Sequence, residues 1–176
     1  MIRPCPFTGE SPRIHETAYV DASAQVIGRV SIGPRSSLWP GVVVRGDVHT
    51  IEIGADTNVQ DLSCLHVLKD RFSLRLGDRV SLGHAVMLHG CEIGAGSLVG
   101  MRATVMDGAT IGESCLVAAG ALVTPGFQAP PRSLVVGAPA KVKRELNAEE
   151  LELLDRTWRN YVDYSRAYVE KFGRGF

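Results

Sequence analysis

Residues 93–123 read IGAGSLVGMRATVMDGATIGESCLVAAGALV. Every sixth residue of this stretch, Ile93, Val99, Val105, Ile111, Val117 and Val123, is a β-branched aliphatic. The same step runs upstream through Val20, Val26, Ile32, Leu38 and Val44, then Ile53, Val59 and Leu65, then Leu76, Leu82 and Leu88. All seventeen stations are Val, Ile or Leu. The residue four further on is small or β-branched at Ser36, Thr57, Ser63, Ser97, Ala103, Ala109, Cys115 and Ala121. A period of six matches neither the helical 3.6 nor the strand alternation of 2. It matches a hexapeptide β-helix, in which a short strand is followed by a corner and three such units close one triangular coil. The stations point inward as a thin aliphatic core. The spacing therefore predicts an all-β solenoid, a parallel β-helix of about six triangular coils.

The composition agrees. The chain has 176 residues, 19 of them glycine, and only 6 % aromatics. Fifteen of the glycines lie between Gly28 and Gly126, and each follows a station by one, two or three residues, so they are predicted at corners. The formal net charge is zero, which excludes a generic nucleic-acid binder. No apolar run is long enough to span a membrane. The first residues, MIRPCPFTGE, carry no apolar signal core, and Cys5, Cys64, Cys91 and Cys115 form no CxxC pair. Reduced thiols and a cytoplasmic location are the expectation. Residues 1–146 are predicted to form the β-helix domain, with an N-terminal cap over 1–19 and a Pro-rich exit over 124–146. Asn147 and Glu150 form an Asn-x-x-Glu capping pair. Helical spacing from Leu151 to Phe172 predicts an amphipathic helix over 147–172, in a C-terminal unit of residues 147–176 that packs on the prism.

The ladder of six breaks three times, after Val44, Leu65 and Leu88. These stations are three steps apart, which is one full coil, so all three breaks stack at one corner. The next residues are Arg45, His66 and His89. Two imidazoles on adjacent coils, with backbones about 4.8 Å apart, can reach one metal ion. The preceding face carries Asp61 and His84, each two residues past its station. Outward side chains on different faces of a prism diverge, so one chain does not easily bring its own His84 to its own His66 and His89. Two prisms side by side do, and a cyclic trimer repeats this with closed symmetry. His15 is expected at the surface, and His49 has a weak claim to proton relay.

The segments RGDVHTIEIG (45–54), TNVQD (57–61), LHV (65–67), LGHAVMLHGC (82–91), LVGM (98–101) and GAPAK (137–141) resemble those of gamma-class carbonic anhydrases. That resemblance implies a left-handed β-helix and a homotrimer with metal sites between subunits. It implies His66 and His89 as ligands from one subunit and His84 from its neighbour. Three imidazoles with an open position make a catalytic zinc set, although such donors also accept Fe2+ or Co2+. The implied activity is reversible hydration of carbon dioxide to bicarbonate by a metal-bound hydroxide. Gln60 matches the family residue that orients solvent, and Arg45, Asp47 and Asp61 match its interface ion-pair residues. Asp70 is the only acid in the LKDRFS loop after His66. The chain thus resembles the shorter relatives that lack an acidic proton-shuttle loop, and weak turnover is expected. The alternatives are a metal-binding scaffold or assembly protein with little activity, and a hexapeptide acyltransferase using coenzyme A thioesters.

Overall fold

The computed structural model describes residues 1–175. The chain winds into a left-handed parallel β-helix followed by one C-terminal helix, Ala148–Phe172. All seventeen stations are buried, none more than 4 % exposed. Their side chains stack rung upon rung into one continuous aliphatic core.

Three faces define the prism. Face one stacks Val26, Val44, Leu65, Leu88, Val105 and Val123 in direct parallel register. Face two stacks Ile32, Ile53, Leu76, Ile93 and Ile111. Face three stacks Val20, Leu38, Val59, Leu82, Val99 and Val117. The helix has seven rungs, one more than the stations predict. Ile2 pairs with Val26 and Ile14 with Ile32, so the segment read as a cap supplies part of a first rung. Ala129 pairs with Ile111 and Val135 with Val117, which extends the ladder into the Pro-rich stretch. Ile14 lies six residues before Val20, and Ala129 and Val135 lie six and twelve after Val123, so the period runs on at both ends. An alanine at position 129, and an Ile2 that lies 24 residues before Val26 where one coil takes 18, interrupt the aliphatic pattern.

Buried hydroxyls tie the rungs together. Ser63 Oγ donates to the Gly83 carbonyl (3.1 Å) and accepts from the Val86 N–H (3.1 Å). Ser36 and Ser97 repeat the pattern on other rungs. Small polar residues therefore sit inside the prism with their hydrogen bonds satisfied.

The faces differ in what they show outward. Face two presents a polar column through Glu52, Arg75, Glu92, Thr110 and Gln128. Face three is covered by the C-terminal helix, which packs on its own chain. Trp39 stacks edge-on against Tyr161 (5.5 Å between centroids) and Tyr168 (5.1 Å), while Leu154 joins Leu134 and Leu146 in a second apolar cluster. Face one is bare. Its outward column runs Val43, Cys64, Met87, Thr104, Leu122, with Met87 40 % exposed. No described helix is long and apolar enough to cross a membrane.

Candidate metal centre

The three breaks do stack at one corner, between faces one and two. The registers that fix this are Val44 with Leu65 and Leu65 with Leu88 on one side, and Ile53 with Leu76 and Leu76 with Ile93 on the other. His66 and His89 stand directly paired at that corner. Their side chains converge: His66 Nδ1 lies 3.1 Å from His89 Nε2, with ring centroids 5.1 Å apart.

The other nitrogen of each ring faces a carboxylate. His66 Nε2 is 3.1 Å from Asp47 Oδ1, and Arg45 Nη1 donates to Asp47 Oδ2 at 2.6 Å. Burial works against ionising Asp47, but the hydrogen bonds from Arg45 and His66 outweigh it and hold the carboxyl below its ordinary value. Burial lowers the His66 pKa against the opposing pull of Asp47, which favours the neutral ring. His89 Nδ1 is 2.6 Å from Asp107 Oδ1. A carboxylate can only accept, so each of these ring nitrogens carries the proton. With both rings neutral, the two nitrogens left facing each other present lone pairs, which a shared cation would satisfy. Two nitrogens bound at about 2.0–2.1 Å to a tetrahedral ion would sit about 3.4 Å apart, close to the separation seen here. The donor set therefore fits a zinc-like ion.

His84 stands on the opposite edge of face one. Its Nδ1 is 2.9 Å from Asp61 Oδ2, which leaves Nε2 bare on an imidazole that is 46 % exposed. Gln60 lies on the same side, buried, with Nε2 donating to Asn58 Oδ1 (3.1 Å). The structure thus brings together Arg45, Asp47, His66 and His89 at one edge, and Gln60, Asp61 and His84 at the other. Among the described residues, no three His, Cys, Asp or Glu side chains of this one chain converge on a single point.

Three residues near the site escaped the sequence reading. Asp107 is the carboxylate behind His89; its signal was its place on the broken corner, one rung further along. Tyr161, on the helix, lies close enough to Asp61 to feel its charge; burial first, then Asp61, pushes its phenol up to about 12. Cys5 donates its thiol to the Asp47 carbonyl (3.2 Å) from the N-terminal arm, and nothing in the spacing marks it. Cys64 and Cys91 are free thiols, and burial pushes both up, so both stay protonated. His49 bonds locally, accepting from the Thr50 N–H (2.8 Å). His15 likewise bonds within its own turn, its Nδ1 3.0 Å from Thr17 Oγ1.

Known proteins resemble this chain along most of its length. The family described as bacterial transferase hexapeptide (six repeats) matches residues 90–125. The chain is 37 % identical over 172 residues to the mitochondrial gamma carbonic anhydrase 2 of Arabidopsis thaliana, covering 95 % of this chain and 62 % of that protein. It is 38 % identical over 157 residues to the carnitine operon protein CaiE of Escherichia coli (strain K12), covering 89 % of this chain and 80 % of that protein. The crystal structure of a putative acetyltransferase of Bacillus cereus superposes with a TM-score of 0.92 at 40 % identity, covering 96 % of both chains. The chain belongs to the gamma-carbonic-anhydrase-like family of hexapeptide-repeat proteins. It spans about three fifths of the length of the plant relatives it matches.

Proposed function

We propose that this chain is a metal-dependent carbonic anhydrase of the gamma class, interconverting carbon dioxide and bicarbonate at sites shared between subunits of a homotrimer. In this reading His66 and His89 of one copy and His84 of a neighbouring copy hold the ion. The observation that carries it is the 3.1 Å approach of His66 Nδ1 and His89 Nε2, each ring backed by its own carboxylate. The bare apolar face one, with the histidine pair on one edge and His84 on the other, supports a second copy as the occupant.

A zinc ion there would supply a Lewis acid that brings the pKa of water down toward 7; Fe2+ and Co2+ suit the same donors. The chain's residues do the rest. Asp47, neutralised by Arg45, holds the His66 ring; Asp61 orients His84 by taking its Nδ1–H. Gln60, with its amide nitrogen committed to Asn58, keeps its carboxamide oxygen to accept a hydrogen bond from solvent. The apolar wall of Met87 and Leu122 suits an uncharged linear substrate better than a charged one.

Stopped-flow hydration assays and metal analysis on the purified full chain test this. The expected result is about one zinc per chain and hydration activity, both lost in His89→Ala. A metal-replete protein inactive in every buffer would instead favour a scaffold. Acyl-coenzyme A binding without metal would favour a transferase, the activity for which the Bacillus cereus relative is named.

A further inference from the structure

Asp107 makes the shortest of the three carboxylate–imidazole contacts at these edges, 2.6 Å against 2.9 and 3.1 Å. It lies outside the six short motifs, from RGDVHTIEIG to GAPAK, quoted above. The backbone aims it at His89. Val105, buried in the core, pairs with Leu88 and sets the rung on which Asp107 turns the corner. Gly90 leaves the space open. Its φ is +53°, and a Cβ there would stand 2.5 Å from Asp107 Oδ1 and 2.8 Å from Phe72 Cβ. The Gly90 N–H donates to the His66 carbonyl (3.0 Å), and the Gly90 carbonyl accepts from the Gly108 N–H (2.7 Å), so this corner is pinned to the rungs on both sides. Phe72, at the end of the loop that interrupts the ladder after Leu65, lays its ring beside Gly108. The loop thus ends in an aromatic wall next to the Asp107–His89 contact, where partial exclusion of water strengthens the hydrogen bond.

We propose that Asp107 is a positioning residue for metal capture. It takes the Nδ1–H of His89, fixes the tautomer, and keeps Nε2 bare and turned toward His66. Without that acceptor the neutral ring is free to carry its proton on Nε2, the nitrogen that must bind. The proposal rests on the metal-site reading above, and it makes a claim about the metal-free chain as well. Partners behind metal-bound histidines typically change metal affinity by about 10–100-fold when removed.

The test combines nitrogen NMR of histidine-labelled, metal-free full chain with zinc affinity measured by chelator competition. The His89 signals are assigned by their loss in His89→Ala. In the wild type, His89 should show a protonated Nδ1 and a bare Nε2. Asp107→Ala should move the proton toward Nε2 and weaken zinc binding about 10–100-fold, while its melting curve shows a folded chain. Asp107→Leu keeps much of the shape but has no acceptor, and serves if the alanine variant unfolds; it too should lose zinc affinity. An unchanged tautomer, or unchanged zinc affinity in a folded variant, overturns the proposal. If the wild type binds no zinc, the metal reading falls, and the tautomer alone decides the role of Asp107.

Discussion

Gly94 and Gly120 look alike in the sequence, one residue and three residues past a station, but the structure gives them different reasons. A Cβ on Gly94 would sit 2.5 Å from the backbone of the next rung at Gly112, so no other residue fits. Gly120 has open space around it but a φ of +68°. Arg35, Ala85 and Arg102 occupy the equivalent left-handed corner, so that conformation is tolerable without glycine. Gly94→Ala should therefore destabilise by about 3 kcal/mol or more in denaturant unfolding, because the rungs must part. Gly120→Ala should cost about 1 kcal/mol, and Gly120→Asn less. Equal costs at the two positions would contradict this division. Ser63→Ala should cost about 1–3 kcal/mol in the same assay, since it strips the buried Val86 N–H of its acceptor. Position within the hexapeptide was readable from the residues alone. The reason for each glycine was not, because it depends on how closely the next rung approaches.

The C-terminal helix shows the same contrast one scale up. Asn147 and Glu150 announce its start, and the reciprocal capping bonds are present at 2.9 Å each. Arg144 adds a two-point pair to Glu150 (2.7 and 2.8 Å) that only the folded antiparallel hairpin of Ser133–Gly137 and Ala140–Glu145 could reveal. Together, Arg144 first and the Asn147 N–H second, they hold the Glu150 carboxyl down at about 2. A carboxyl with a lowered folded-state pKa stabilises the fold above its unfolded value and loses that contribution as pH falls. The melting-temperature gap between wild type and Glu150→Gln should therefore be full above about pH 4.5 and close as pH falls to about 2. A gap that stays constant across that range would contradict the assignment. Which face the helix covers was not legible: its apolar stripe fits any face, and only the aromatic set Tyr19, Trp39 and Tyr168 selects face three. The loop after His66 carries a different prediction. With Asp70 its only acid, proton export should lean on the buffer, and kcat should rise with imidazole concentration. A kcat indifferent to buffer would reveal a relay within the chain.

At the scale of the whole molecule, the period of six was enough to place residues on faces, because a solenoid makes sequence separation and stacking nearly the same thing. That is why the convergence of His66 and His89 could be foreseen from two broken steps. The side-chain links that finish the site could not. A Cβ on Gly90 would crowd the Asp107 oxygen that reaches His89, and that is a fact of three-dimensional clearance. With face two polar and face three covered, the described residues leave face one open and apolar between the His66–His89 pair on one edge and His84 on the other. The central claim is that two copies complete one metal centre. Mixing His84→Ala chains with His89→Ala chains, under conditions where subunits exchange, tests it most directly. The account predicts that each variant alone binds no zinc at this site, while mixed assemblies regain both bound zinc and hydration activity at some interfaces. If mixed assemblies form but recover neither, the shared metal centre is wrong.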